Sequence, residues 1–126
     1  MNDFATYTNP QLNRWAAERD GYFDFWTTSD SAGEHLYGHV KGKKPPPCPQ
    51  KLSTAIPTYA TRADLAIALL GRWGYEWTRG FSYPDYTPFV EVYNRFTSHR
   101  AHESPDCDTA RALVIAANSL KESEGE

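Results

Sequence analysis

Two strand-like segments, residues 75–79 and 89–96, are joined by a connection too short to hold a crossover, so they must pair antiparallel. The first alternates as Tyr75-Glu76-Trp77-Thr78-Arg79. The second, Phe89-Val90-Glu91-Val92-Tyr93-Asn94-Arg95-Phe96, has the β-branched and aromatic content of a strand. Gly80, Pro84 and Pro88 mark the connection as a turn region. Directly upstream, Leu65, Ala66, Leu69, Leu70 and Trp73 recur at helical spacing. Thr61-Arg62-Ala63-Asp64 before them resembles a capping box with Asp in place of Glu, and Gly74 after them is a natural C-terminal stop. A capped helix running straight into an antiparallel pair is the unit around which the rest of the chain must be arranged.

Two further helices flank this unit. Thr8-Asn9-Pro10 starts the first: Thr8 or Asn9 caps it, Pro10 suits its first turn, and Leu12, Trp15, Ala16 and Arg19 share one face. Gly21 ends it, and residues 22–28 read as a strand. The last helix begins at Ser104-Pro105-Asp106 or at Asp108, with Ala110, Leu113, Val114, Ala117 and Leu120 as its apolar stripe. Residues 97–104 are polar and ambiguous. Residues 29–57, with Gly33, Gly38, Gly42 and the run Lys43-Lys44-Pro45-Pro46-Pro47-Cys48-Pro49, read as a long loop, in which residues 35–40 are candidates for a short edge strand. Residues 122–126 read as a solvated acidic tail. The expectation is a single α+β domain in which a small antiparallel sheet packs between or against helices, in the order α-β-α-β-β-α.

Composition narrows the function classes. The 126 residues carry a formal net charge of −3, against the clustered basic surface of a general nucleic-acid binder. Two cysteines are too few for a disulfide framework. The longest apolar runs fall far short of the ~20 residues of a membrane span. The first residues have neither the basic region nor the apolar region of a secretory signal, which leads to the expectation of a cytoplasmic protein.

The stretch Pro57-x-Tyr59-Ala60-Thr61-x-x-Asp64-x-Ala66, the late helix Asp108-Thr109-Ala110-Arg111-Ala112-Leu113-Val114-Ile115-Ala116-Ala117 and, more weakly, Leu12-x-x-Trp15-x-Ala17-Glu18 resemble the phage "ABA sandwich" domain family over about residues 11–121. The resemblance implies an antiparallel sheet between helices, encoded by a phage or prophage and working in the cytoplasm of a bacterial host. It implies no catalytic residues. By analogy with small phage accessory proteins, it implies a non-enzymatic partner of a bacterial host or defence protein, acting as an inhibitor. The chain departs from the family pattern at residues 29–57 and 75–96.

Several groups of residues are candidates for chemistry. His35-x-x-x-His39 has metal-ligand spacing if helical, with Cys48 as a possible third ligand, but Gly33 and Gly38 oppose a helix there; two polar loop histidines are the plainer reading. His99-x-x-His102 with Cys107 suggests a thiol nucleophile and its base, since a helix N-terminus lowers a thiol pKa, set against a small packing cysteine. This is the alternative function, a small enzyme or ligand-sequestering protein. No metal or cofactor is expected. Lys41, Lys43 and Lys44 form a small basic spot, read either as a solvated loop tip or as a contact for a phosphate or an acidic partner. The densest signal is aromatic: Trp77, Phe81, Tyr83, Tyr86, Phe89, Tyr93 and Phe96. If Val90, Val92 and Phe96 face inward, Tyr93 and Arg95 face out. The expected binding surface is therefore Tyr75, Trp77, Tyr83, Tyr86, Tyr93 and Arg95, flanked by the three lysines. The competing view is that helices cover both sheet faces and bury these side chains as core.

Overall fold

A computed structural model describes residues 3–31, 33–40 and 54–125 of the chain. After a short turn at Phe4–Thr6, helix α1 spans Asn9–Arg19. Its cap is the reciprocal one. The Gln11 N–H donates to the Thr8 hydroxyl at 3.3 Å, and the Thr8 N–H donates to Gln11 Oε1 at 2.8 Å. Strands β1 (Tyr22–Asp30), β2 (Gly33–Val40) and β3 (Thr54–Ala55) form one antiparallel sheet in that order. The expected loop at residues 29–57 is therefore in part a hairpin and a third strand, and β2 lies in the middle of its sheet instead of at an edge. Ser29 opposite Glu34 and Asp30 opposite Gly33 extend the pairing through polar residues that carry no apolar alternation. One extra residue of β1 between Phe23 and Trp26 makes a bulge.

Helix α2 (Ala63–Trp73) ends as expected at Gly74, which takes the left-handed conformation at φ 77°. Its start differs from the expected box. Arg62 is the N-cap, and the Thr61 hydroxyl turns back to donate to the Thr58 carbonyl at 3.2 Å. Asp64 accepts from the Arg62 guanidinium. A second antiparallel sheet follows, β4 (Glu76–Phe81), β5 (Pro88–Tyr93) and β6 (Ser98–His102), with β5 in the centre. Strand β5 is shorter than expected because Asn94 starts a tight turn. Its side-chain oxygen accepts from the Phe96 and Thr97 N–H groups, and its own N–H donates to the Thr97 carbonyl. Phe96, expected to face inward, sits on that turn and is 91% exposed.

Helix α3 (Thr109–Gly125) begins after Asp108, whose carboxylate accepts from the Arg111 N–H at 3.0 Å. It runs through the expected acidic tail. Glu122 is buried, and Glu124 accepts hydrogen bonds from the Tyr75 hydroxyl and from Asn94 Nδ2. The last turn of α3 thus docks where β4 and β5 meet the molecule's end.

Packing follows from α3, which is buried on nearly every side from Ala112 to Asn118. Strands β5 and β6 cover one flank, and α1 and α2 the other. Leu12, Leu69, Leu70, Val90, Val92, Leu113, Val114 and Leu120 fill the junction with no appreciable exposure. Asp20, at the end of α1, ties the second layer together. It accepts from the Tyr59 hydroxyl at 2.8 Å and from Arg72 Nε and Nη2 at 3.0 and 2.8 Å. The class is α+β, as expected. Among the described residues the β4–β5–β6 sheet lies against helices on one face only, and not between two helix layers. No described helix is long and apolar enough to cross a membrane.

Candidate binding surface

Register decides which side chains of the second sheet point away from α3. Residues directly opposite one another in an antiparallel pair share a face. Val90 and Val92 are buried against α3, so Arg79 and Trp77 opposite them, and Ala101 and His99 across β6, share that inner face. Phe89, Glu91 and Tyr93 face outward with Gly80, Thr78 and Glu76 on one side and His102, Arg100 and Ser98 on the other. The outer face is held by its own side chains. The Arg100 guanidinium stacks on the Phe89 ring at 3.9 Å and pairs with Glu91 at 3.4 Å. A Cβ at Gly80 would lie 3.2 Å from the Phe89 ring, so glycine makes room for that ring over β4.

At one end of this sheet the β4–β5 turn carries the most exposed aromatic group. Phe81 is 61%, Tyr83 86% and Tyr86 69% exposed. The turn itself is defined. The Ser82 N–H donates to the Thr87 carbonyl at 2.8 Å, the Tyr86 N–H donates to the Ser82 carbonyl at 2.6 Å, and the Tyr83-Pro84 bond is cis. Tyr83 and Tyr86 meet edge to face with centroids 6.3 Å apart. Arg79 lies 5.8 Å from the Phe81 ring and pairs with the buried Glu103 at 2.8 Å, and Glu103 also accepts from the Thr109 hydroxyl.

The predicted binding residues therefore divide. Tyr83, Tyr86 and Arg95 are exposed, and Tyr93 is half-buried on the outer face. Tyr75 and Trp77 belong to the other side. Tyr75 is only 6% exposed and packs edge-on against Trp73, and Trp77 packs against the core from the α3 face. Helix α2 delivers the chain directly into Tyr75, which draws this part of β4 inward. Lys41, Lys43, Lys44 and Cys48 lie outside the described residues.

The candidate catalytic groups are brought together only in part. His99 and His102 are three apart on β6, so they point to opposite faces. His102 and Cys107 line a common groove beside α3. Burial pushes the Cys107 thiol above its ordinary pKa, and this outweighs the opposing pull of the nearby Arg111 charge. His35 and His39 lie on strand β2, where four residues span about 13 Å of backbone instead of one helical turn. Residues missed from the sequence are Phe81, Phe89 and Arg100. Phe81 and Phe89 stand in the dense aromatic segment with nothing local to single them out, and Arg100 lies in the polar stretch that forms β6.

Comparison with protein-family models, with curated proteins and with solved structures finds no match to this chain.

Proposed function

We propose that this chain is a non-enzymatic binding protein that docks a protein partner through the β4–β5 turn. The observation that carries this reading is the exposure of Phe81, Tyr83 and Tyr86 together on a hydrogen-bonded turn. Large apolar side chains clustered in water mark interaction sites, and aromatic residues and arginine dominate binding energy once a partner covers them. A turn closed by its own backbone bonds loses less freedom on docking than a floppy loop. In the setting that the phage resemblance implies, the partner is a bacterial host or defence protein, and covering it inhibits it.

The test is affinity capture from lysate of a bacterial host, with the tagged protein and a Tyr83→Ala/Tyr86→Ala variant side by side. The expected result is a protein retained by the first and lost by the second, with equal melting temperatures. A protein retained equally by both, or a co-purifying nucleotide in place of a protein, contradicts the reading.

A further inference from the structure

Two turns project side by side from one end of the second sheet. Strand β5 begins at Pro88, whose carbonyl accepts from the Glu103 N–H at 2.8 Å, so the turn before β5 and the turn after β6 are neighbours. The first carries Tyr83-Pro84-Asp85-Tyr86 at its tip. The second is closed by reciprocal backbone bonds between Ser104 and Cys107, at 2.8 and 3.0 Å, with Pro105 and Asp106 at its tip. Asp85 and Asp106 are both exposed.

Elsewhere on this sheet a ring and a carboxylate share an arginine. Arg100 stacks on Phe89 at 3.9 Å and pairs with Glu91, and Arg79 lies 5.8 Å from the Phe81 ring and pairs with Glu103. The two turn tips have the rings and the carboxylates without the arginine. Among the described residues no cation lies over Tyr83 or Tyr86, and neither Asp85 nor Asp106 is ion-paired. The arginines of this end are engaged: Arg79 by Glu103, and Arg111 by Asn9 and the carbonyls of Tyr7 and Ala5. Tyr83 is 86% exposed, which leaves its ring faces open to water, and Tyr86 stands nearly perpendicular to it, at 77°.

We infer that the β4–β5 turn takes an arginine-bearing segment of its protein partner, whose guanidinium groups stack on Tyr83 and Tyr86 and pair with Asp85 and Asp106. A guanidinium is drawn to the electron-rich face of a ring and forks onto a carboxylate with two N–H groups, so it answers both halves of this surface at once. A lysine ammonium offers no planar fork and holds its water more tightly. The same carboxylates repel phosphate-rich or acidic partners. This inference rests on the aromatic-turn reading and names the chemistry of the partner it requires.

The probe is a set of fluorescein-labelled Gly-Ser peptides carrying three spaced Arg, Lys, citrulline or Glu residues, read by fluorescence polarisation. The expected result is saturable binding of the arginine peptide, several-fold weaker binding of the lysine peptide, and binding weaker by about tenfold or more for the neutral citrulline and the Glu peptides. Binding of the arginine peptide should weaken as salt is raised. Asp85→Asn/Asp106→Asn should weaken it several-fold, whereas Asp64→Asn/Glu76→Gln, which removes the same charge from exposed positions away from the two turns, should not. No binding of the arginine peptide, equal binding of the citrulline peptide, or equal losses in the two double variants overturns the inference. If the first double variant melts lower, the citrulline comparison on the unaltered protein still decides. The same variants separate the two readings with a partner captured from lysate. A partner lost by Tyr83→Ala/Tyr86→Ala but held undiminished by Asp85→Asn/Asp106→Asn and at high salt leaves the aromatic turn standing and overturns the arginine. A partner held by the tyrosine variant overturns the aromatic turn itself.

Discussion

Asp20 shows how much one side chain holds. Its two oxygens take the Tyr59 hydroxyl and both nitrogens of a forked Arg72 contact, joining the end of α1 to the segment before α2 and to α2 itself. Asp20→Asn keeps the shape and removes the charge, and should cost about 1–3 kcal/mol in urea unfolding, because the bonds lost are charge-assisted and Tyr59 is fully buried. Nothing in the sequence marks Asp20 beyond its place before Gly21, because its partners lie 39 and 52 residues away. A second expectation concerns pH. Burial, with Asp20 reinforcing it, raises Tyr59 well above the ordinary tyrosine value of 10.0, and burial beside Glu124 raises Tyr75 in the same direction. A raised folded pKa means that the unfolded chain gives up the proton first. The stability these groups contribute is therefore complete below pH 10 and falls as pH rises from there toward the folded values. Ultraviolet titration of tyrosinate should show fewer ionised tyrosines at pH 10–11 in the folded protein than in the urea-unfolded chain, and equal curves would contradict the burial of these hydroxyls.

The helices were legible because their signals are local. Leu69 and Leu113 fall on predicted apolar stripes and are fully buried on α2 and α3, so Leu→Ala at either should cost about 2–5 kcal/mol, read as a lowered unfolding midpoint. The strands were less legible. In β6, Ser98-His99-Arg100-Ala101-His102 buries only Ala101, so an edge strand with one small inward residue leaves no apolar alternation to read. The end of α3 was hidden for the opposite reason. Lys121-Glu122-Ser123-Glu124 has the composition of a solvated tail, and only the distant Tyr75 and Asn94 make it part of the fold. Deleting residues 122–126 should accordingly destabilise the protein by about 1–3 kcal/mol, since the Tyr75 hydroxyl then loses its acceptor. A truncated chain that unfolds at the same urea concentration would restore the tail reading.

For the molecule as a whole, the placement of α3 matters most. It sits between the β4–β5–β6 sheet and the α1–α2 pair, and so leaves the far face of that sheet without a helix among the described elements. Alternation with Glu76, Thr78, Glu91, Ser98 and Arg100 outward suits a face in water, and that much could be read along β4 and β5. The exposed aromatic turn could be seen only as an excess of aromatics, because which of seven rings is core depends on register and on where β5 stops. Tyr75 and Trp77 turned inward and Phe96 outward, whereas Tyr83 and Tyr86 remained on the surface. The central claim is that these exposed rings dock a protein partner. Its most direct test is the affinity of the captured partner for Tyr83→Ala and Tyr86→Ala, measured alongside their thermal melts. The account predicts a loss of about 1 kcal/mol or more for each, roughly fivefold or greater in Kd, with unchanged melting temperatures. Unchanged affinity in both variants, or a melt that collapses with either, would contradict it.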